Sequence, residues 1–324
     1  MSRYLIVFPD DSVHPILDAI EHASTSLRIK MFVFSDPRIL GSVIRAHRRG
    51  VQVRVMLNPT RRDGTTENQE TRNHLHDAGV EVVDSTPAFE VTHEKSMVVD
   101  EKSAWIMSLN WETKNLTETR DYAVVTSHTH EVQEIIDCFE ADWARRFFNP
   151  GEHSHMIWCV GNARQRISQF IDEAKHSLWV QNERYQDPLI IEHLVRAARR
   201  GVKVHIMARP PHTLKKEKLI EGVAGLRILD DVGVKVHKVH GLKLHAKLMY
   251  ADRARAIVGS INLAPGSFNS RRELAIEARD REVVDRIHQL VHHDWSNSRA
   301  MDLSDNGLIA DMGERGREIV SAVQ

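Results

Sequence analysis

The sequence predicts a duplicated α/β fold with two mixed, mostly parallel sheets, each flanked by helices and related by a pseudo-two-fold axis. Two observations support this fold class. Strand-like and helix-like segments alternate along the 324-residue chain, which is the pattern of strands joined by crossover helices. Residues 26–51 also match residues 177–202 at an offset of 151 positions. A period this long indicates two homologous domains rather than a solenoid of short repeats.

Periodicity and capping residues predict the elements of the first half. Helical spacing over residues 16–20 precedes a strand-like run over residues 27–34. Asp36 is the expected N-cap of a helix over residues 37–50, which opens with proline and closes with glycine. Alternation over residues 51–57 then predicts a second strand.

The second half repeats the scheme, with a helix over residues 188–201 and a strand over residues 202–207. Arginine-bearing loops, residues 58–62 and 208–212, leave these second strands. They leave at the carboxyl edge, where ligands bind in such sheets. The lysine-rich residues 215–218 that follow are better interpreted as a solvated helix face than as a phosphate track.

Three regions are predicted along the chain: an N-terminal domain over 1–150, a C-terminal domain over 151–295 and a polar tail over 296–324. Turn residues near position 150 mark the linker, and Trp143 and Trp295 close the two domains at matching positions. Both tryptophans are expected to pack in a core. The tail has no counterpart in the first half, and we expect at most a short helix there.

Residues 241–262 carry the strongest functional pattern in the chain. Alternation predicts a half-buried strand from which His245 and Lys247, two residues apart, project on the same face. After a turn, Ser260 and Asn262 share a face of a second strand. An imidazole, an ammonium, a hydroxyl and a carboxamide offered to one small volume indicate a site for an anionic group.

The same pattern occurs 152 positions earlier, which excludes an ordinary surface strand as the explanation. The earlier copy comprises His93, Lys95, Ser108 and Asn110. An aspartate follows each lysine, at Asp100 and Asp252. Because these aspartates come just after the active face, they are interpreted as structural turn and ion-pair residues.

These residues resemble the phospholipase D superfamily, whose signature is H-x-K-x4-D followed by G-S-x-N, present twice in the catalytic unit. The second copy matches in full, whereas Met107 replaces the glycine in the first. The resemblance implies two phospholipase D-like domains with the active site between them. If the glycine allows close approach to phosphate, the first half-site should differ in shape.

An acidic residue completes each half-site. Asp121 lies 28 residues after His93, and Glu273 lies 28 residues after His245, each preceded by an arginine. The resemblance implies that an acid at this position bonds the motif histidine, and each acid is grouped with the motif of its own half. A carboxylate on one ring nitrogen fixes the tautomer and leaves the other nitrogen free to react.

Two histidines can cleave a phosphodiester, one as nucleophile and the other as proton donor to the leaving oxygen. The two motif lysines and asparagines would hold the non-bridging oxygens. The resemblance favours His93 as nucleophile and His245 as general acid. No metal or other cofactor is expected, because a lysine beside each histidine disfavours a bound cation and no H-E-x-x-H or C-x-x-C motif occurs.

Composition narrows the class but not the substrate. Hydrophobic residues are 41% and charged residues 27% of the chain, with a net charge of −1, which is typical of a globular protein and not of one whose whole surface binds nucleic acid. Cys138 and Cys159 fit no metal or redox motif and are expected to be free thiols. The absence of a signal peptide or membrane span predicts a cytoplasmic protein, with peripheral membrane contact as an option.

Three functions stay open at this point. The resemblance favours a phospholipid-processing phosphodiesterase or phosphatidyltransferase, which acts on water or an alcohol. A nuclease that uses the arginine-bearing loops is the first alternative, and a degenerate binding module, suggested by Met107, is the second. No obligate oligomer is needed, since one chain supplies both motifs.

Overall fold

The computed structural model describes residues 2–60, 64–214 and 219–323. The strands of this part are β1 (Arg3–Phe8), β2 (Ser26–Met31), β3 (Gln52–Leu57), β4 (Glu81–Asp84), β5 (Val91–Thr92), β6 (Ser96–Val99), β7 (Ser103–Met107), β8 (Thr119–Thr126), β9 (Met156–Cys159), β10 (Ser177–Asn182), β11 (Lys203–Met207), β12 (Lys235–Val239), β13 (Lys243–Leu244), β14 (Lys247–Ala251), β15 (Arg255–Gly259), β16 (Arg271–Ala278) and β17 (Ser298–Ala300). The helices are α1 (His14–Glu21), α2 (Pro37–Arg48), α3 (Gln69–Asp77), α4 (Thr113–Thr117), α5 (Thr129–Trp143), α6 (Ala163–Asp172), α7 (Pro188–Arg199), α8 (Leu219–Asp231), α9 (Pro265–Ser270), α10 (Arg281–Ser296), α11 (Asp305–Met312) and α12 (Glu314–Val323), with a 3₁₀ turn at Pro211–Thr213.

The predicted pair of mixed sheets flanked by helices is confirmed. The first sheet runs β1-β8-β7-β6-β2-β3-β4, and the second runs β17-β12-β11-β10-β14-β15-β16-β5 with β9 beside β16. The expected parallel pairing holds for β2-β3-β4 and β10-β11-β12, where helices cross over. The motif hairpins and the strands beside them pair antiparallel. Antiparallel contacts therefore outnumber the parallel ones that were expected to prevail.

The predicted caps fix the same helix in both halves. The Asp36 carboxylate accepts the backbone N–H groups of Arg38 and Ile39 at the start of α2. Asp187 accepts the backbone N–H of Ile190 at the start of α7. These side chains satisfy donors that a first helical turn leaves unpaired.

Three hydrophobic cores hold the layers together. One packs α1, α2 and α3 on the outer face of the first sheet. A second packs α6, α7 and α8 on the outer face of the second sheet. The third lies between the two sheets and includes α5 and α10. The halves are therefore joined by a buried apolar interface, which places the inner faces of the two sheets against each other.

Each half contributes a two-residue strand to the sheet of the other. β5 of the first half pairs in parallel with β16, with Thr92 opposite Arg272. β13 of the second half pairs in parallel with β8, with Leu244 opposite Arg120. A motif histidine follows each exchanged strand directly, so the exchange carries each histidine to the opposite half.

The tail over residues 296–324 packs with the second half, as far as it is described. β17 extends the second sheet beyond β12, and α11 and α12 contribute Leu308 and Ile319 to the outer core. Apolar residues are too few in this part of the sequence to show a helical period, so the two helices were not predicted. None of the helices in the described ranges combines the length and apolar character needed to cross a bilayer.

Candidate active site

The exchanged strands place each motif histidine beside the acid of the other half. The backbone N–H of His93 donates to the carbonyl oxygen of Arg272 at 2.9 Å, and His93 Nδ1 lies 2.8 Å from Glu273 Oε2. In the mirrored arrangement, His245 Nδ1 lies 2.9 Å from Asp121 Oδ1. The expected grouping of each acid with its own motif was therefore wrong, because parallel pairing across the interface decides which carboxylate is adjacent.

Two buried ion pairs across the interface reinforce this crossing. Arg120 binds Asp294 through two N–H···O contacts of 2.9 Å. Arg272 binds Asp142 at 3.1 and 2.8 Å. Both aspartates stand directly before the tryptophans that close the two halves, at the same 152-residue offset. The sequence analysis missed them, although that offset was available as a signal.

The two motif lysines belong to one site. Each ammonium donates to the backbone carbonyl of the histidine in its own motif. Burial, and then the neighbouring charge of Lys247, lower the pKa of Lys95 well below its ordinary value. Like charges this close favour binding of an anion between them, because the anion offsets both burial and repulsion.

The motif serines have different partners. Ser108 Oγ donates to Asp121 Oδ1 at 2.6 Å and thereby orients the acid that holds His245. Ser260 Oγ instead accepts the backbone N–H of Leu274 at 3.1 Å and donates to the carbonyl oxygen of Leu274 at 3.3 Å. The structure thus places Ser108 in the histidine network and Ser260 in the packing of β15 against β16.

The motif asparagines are both buried. Asn110 Nδ2 donates to Glu112 Oε2 at 3.0 Å, and Asn262 is 2% exposed. The Oδ1 atoms of both residues are buried without a hydrogen-bond partner. A buried amide oxygen without a hydrogen-bond partner is energetically costly, so these amides are suited to hydrogen-bond a ligand.

The residues beyond the two histidines break the symmetry. The Phe32 ring contacts the His93 ring edge-on, with centroids 4.7 Å apart. At the matching place in the second half stands Glu183, whose Oε2 lies 3.7 Å from His245 Nε2 and 2.9 Å from Lys247 Nζ. A carboxylate thus faces the free nitrogen of one histidine, and an aromatic ring packs against the other.

Protonation of the His93 side follows from this environment. Burial lowers the pKa of His93 to about 3, despite the opposing effect of Glu273. Burial raises the pKa of Glu273, but His93 and Lys95 outweigh it and lower that pKa to about 2. Near neutral pH the pair is therefore a neutral imidazole beside a carboxylate. The carboxylate accepts the Nδ1 proton, so Nε2 keeps its lone pair.

The motif aspartates are structural, as predicted. The Asp100 carboxylate accepts backbone N–H groups of Ser24, Thr25 and Ser26 at 3.0, 2.7 and 3.0 Å. Asp252 binds the corresponding loop of the second half at 2.8 to 2.9 Å. These bonds fix the loop before β2 and β10, and they outweigh burial in lowering the pKa of Asp100.

Met107 does not shape the phosphate site. Its side chain is buried in the outer core of the first half. A Cβ added at the matching Gly259 would meet Leu274 O at 2.3 Å and Ala275 Cα at 2.4 Å. The glycine therefore allows close approach of β16.

One buried cluster has metal-binding atoms, but a lysine occupies it. Glu94, Cys138 and Asp142 lie near one another, and Lys30 Nζ is 3.0 Å from Glu94 Oε2 and 2.8 Å from Asp142 Oδ2. The ammonium supplies the positive charge that these carboxylates require. Both cysteines, Cys138 and Cys159, are free and buried.

Of the arginines in the two predicted loops, only the one in the second loop is described by the structure at the site. Arg209 Nη1 donates to Glu183 Oε1 at 3.1 Å and so belongs to the site. Arg61 and Arg62 of the first loop lie outside the described residues, as does the expected solvated face over residues 215–218. Interpretation of these two segments stays a prediction.

Proteins from several organisms are similar to this chain in sequence. The human mitochondrial cardiolipin hydrolase is 30% identical over 146 residues, 45% of this chain and 55% of that protein. Polyphosphate kinase 1 of Chlorobaculum tepidum is 23% identical over 326 residues, 93% of this chain and 44% of that protein. The chain thus spans about half the length of these relatives.

A solved structure and a family match extend the likeness to both halves. The phosphatidylserine synthase of Haemophilus influenzae superposes with a TM-score of 0.77 at 10% identity, over 99% of this chain and 92% of that one, so it shares the fold. The family described as "Cardiolipin synthase, PLD-like domain" matches residues 16–143 and 167–295. The chain therefore belongs to this phospholipase D-like family, with one copy of the domain in each half.

Proposed function

We propose that this protein cleaves or exchanges a phosphodiester of a phospholipid through a covalent phosphohistidine, without a metal. The crossed pairs, His93 with Glu273 and His245 with Asp121, carry this proposal. They give two imidazoles a fixed tautomer within one site. Membership of a family named for cardiolipin synthase supports a phospholipid as the substrate.

The first step forms a bond from His93 Nε2 to phosphorus. The P–O bond to the leaving alcohol breaks, and His245 transfers its Nε2 proton to that oxygen. Lys95 and Lys247 stabilise the charge on the non-bridging oxygens, with the motif asparagines as further contacts. In the second step, neutral His245 accepts a proton from water or a second alcohol. That oxygen attacks phosphorus and releases His93.

The broken symmetry supports this order of roles. His93 is desolvated beside Phe32, which favours the neutral, nucleophilic imidazole. Glu183 faces His245 Nε2 at 3.7 Å, so a proton on that nitrogen has a carboxylate to stabilise it. The first histidine is therefore suited to attack and the second to donate.

Phosphoryl transfer involving a polyphosphate is a second candidate. The likeness to polyphosphate kinase 1 covers 93% of this chain, more than the likeness to the cardiolipin hydrolase. Phosphoryl transfer through a histidine would use the same residues. The substrate test below therefore includes both classes.

The test is turnover of phospholipid vesicles by the wild type and by His93→Ala and His245→Ala. Each variant should lose turnover by orders of magnitude, because residues acting as a unit are not additive. His153→Ala, at an exposed histidine, is the matched control and should retain wild-type turnover. A chelator should leave the rate unchanged, and near-normal turnover in either active-site variant would refute the shared site.

Polyphosphate and oligonucleotides in parallel assays identify the substrate class. Alkaline quench preserves phosphohistidine, so the modified residue can be mapped. An adduct on His245 would reverse the roles. Inversion of configuration at phosphorus would exclude the covalent step, because two in-line displacements retain configuration. If the wild type binds lipid but does not turn it over, the protein is a binding module and not an enzyme of this kind.

A further inference from the structure

Three arginines surround the second half-site and have no basic counterpart in the first. Arg184 follows Glu183, Arg209 binds Glu183 at 3.1 Å, and Arg271 is the first residue of β16. The residues at matching positions of the first half are Val33, Asn58 and Thr119. This cluster is therefore not part of the duplicated phosphodiester machinery.

Arg271 is buried and makes no side-chain hydrogen bond or ion pair with any residue that the structure describes. It is 9% exposed, and its Nε atom has no hydrogen-bond partner. Its guanidinium lies over α9, where a Cβ added at Gly266 would meet Nη2 at 3.3 Å. Strand alternation places it on the same face as Glu273, two residues on, whose carboxylate holds His93. An unpaired buried cation is costly, so its retention beside the reacting groups suggests an anionic ligand.

Arg184 lies within the same excess of positive charge. Burial and the charges of Arg271 and Arg209 lower the pKa of Arg184, against the opposing effects of Glu183 and Glu273. Among the described residues, no carboxylate makes an ion pair with Arg184 or Arg271. The site has two more cationic side chains than carboxylates, which is enough positive charge for more than one phosphate. The cations are Lys95, Lys247 and the three arginines, and the carboxylates are Asp121, Glu183 and Glu273.

Other buried arginines show that this fold normally supplies partners. Arg120 has Asp294 and Arg272 has Asp142, each through two contacts. Arg255, which is also 9% exposed, has Glu173 at 2.6 Å. The unpaired state is therefore a local property of Arg184 and Arg271.

We infer that Arg184, Arg209 and Arg271 form a subsite for a second phosphate, next to the phosphodiester that the histidines cleave. This inference rests on the proposed function for the position of the first phosphate. Guanidinium groups suit the task because their planar N–H donors match phosphate oxygens in pairs. The substrate class is a phospholipid with two phosphates, such as cardiolipin, and an inorganic polyphosphate chain shares the same chemistry.

Binding is tested by calorimetry on the full chain with orthophosphate and pyrophosphate at fixed ionic strength. Wild type should bind pyrophosphate roughly tenfold or more tightly than orthophosphate, because the second phosphate adds charge-assisted hydrogen bonds. Arg184→Gln and Arg271→Gln together should remove most of that preference. Arg196→Gln, at an exposed arginine of α7, should retain it. An unchanged preference in the double variant would overturn the subsite.

Turnover separates this inference from the proposed function. In vesicles, the ratio of kcat/KM for cardiolipin to that for phosphatidylglycerol, which has one phosphate, should fall roughly tenfold or more in the double variant. Equal losses on both lipids would overturn the subsite even though lipid cleavage stands. If the wild type cleaves neither lipid but shows the arginine-dependent pyrophosphate preference, the proposed lipid function fails and the subsite stands. Consumption of a polyphosphate chain would then identify the inorganic source.

Removal of either arginine should not unfold the protein. Each substitution removes a cation from a like-charged cluster, so we expect an unchanged or raised Tm. A matched fall in Tm and in pyrophosphate binding would show instead that the arginines support the local structure, and would overturn the subsite.

Discussion

Asp142→Asn should be among the most destabilising conservative substitutions in this chain. The carboxylate serves two buried cations, Lys30 at 2.8 Å and Arg272 at 2.8 and 3.1 Å, and all three side chains are at most 3% exposed. Asparagine keeps the shape but removes the charge, so Lys30 retains only Glu94 and Arg272 loses its carboxylate. Breaking a buried pair in this way costs roughly 3–5 kcal/mol.

The same substitution at Asp294, the matching aspartate of the second half, provides a reference for the loss of stability. Asp294→Asn leaves Arg120 with Asp10 at 2.9 Å and the carbonyl of Phe8 at 3.1 Å, and no lysine depends on Asp294. Its cost should be smaller, about 1–3 kcal/mol. Asp285→Asn, which breaks only exposed pairs of 3.5 to 3.7 Å, should cost at most about 1 kcal/mol.

The assay is urea unfolding followed by circular dichroism and tryptophan fluorescence, with coincident transitions as the criterion for a two-state analysis. If the loss reflects an uncompensated charge, Lys30→Met in the Asp142→Asn background should recover part of the free energy of unfolding. A cost of Asp142→Asn no larger than that of Asp294→Asn, or no recovery by the second substitution, would refute the reasoning.

Three further predictions test the site and its frame. The free energy of unfolding should fall as pH drops from about 6.5 toward 3, because the unfolded chain takes up a proton that buried His93 does not bind; urea midpoints of His93→Asn should depend less on pH across this window. Gly259→Ala should lower Tm, since its Cβ would meet β16 at 2.3 Å, whereas Met107→Gly should cost about 2–5 kcal/mol by leaving a cavity without raising turnover. Glu183→Gln should lower both KM and kcat, because Lys247 loses a carboxylate partner and is freer to bind phosphate, while a negative charge near His245 Nε2 is removed; a raised kcat would contradict the role of Glu183.

Local patterns in the sequence were enough to predict the duplicated frame. Asp36 and Asp187 cap the helices they were expected to cap, because capping depends on residues only two or three positions away. Such caps need no knowledge of the partner half. The alternation around His245 and Lys247 predicted one continuous strand, and this was wrong: β13 ends at Leu244 and β14 begins at Lys247, because β13 pairs with β8 of the first half and β14 with β10 of the second. The second predicted strand, β15, likewise ends at Gly259, before the motif serine.

The crossing of the histidine–acid pairs could not be predicted in this way. Spacing placed Asp121 equally far from His93 as Glu273 from His245, and both groupings fit that symmetry. The choice depends on strands β5 and β13, two residues each, which pair across the interface. A strand of two residues is too short to be predicted from hydrophobic periodicity. The pairing of each histidine with its acid therefore depends on a contact between the halves that the local sequence does not indicate.

Residues that break the repeat were also missed, because comparison of the halves directs attention to what they share. Phe32 and Glu183 occupy matching places and have opposite chemistry, yet neither belongs to a motif. The buried interface makes them informative, since each packs against a motif histidine or faces it. Mismatched positions beside matched catalytic residues therefore offer a search rule that the sequence alone supports.

The symmetric frame explains why such mismatches are needed. A two-step phosphoryl transfer requires one histidine whose reacting nitrogen has no proton and a second histidine whose reacting nitrogen is protonated. The crossed acids, however, contact both rings at Nδ1 over similar distances, 2.8 and 2.9 Å. Identical surroundings would leave the two roles interchangeable. Burial beside Phe32 lowers the pKa of His93, and Glu183 Oε2 lies 3.7 Å from His245 Nε2. In the proposed mechanism, residues that differ between the halves would therefore assign the two roles.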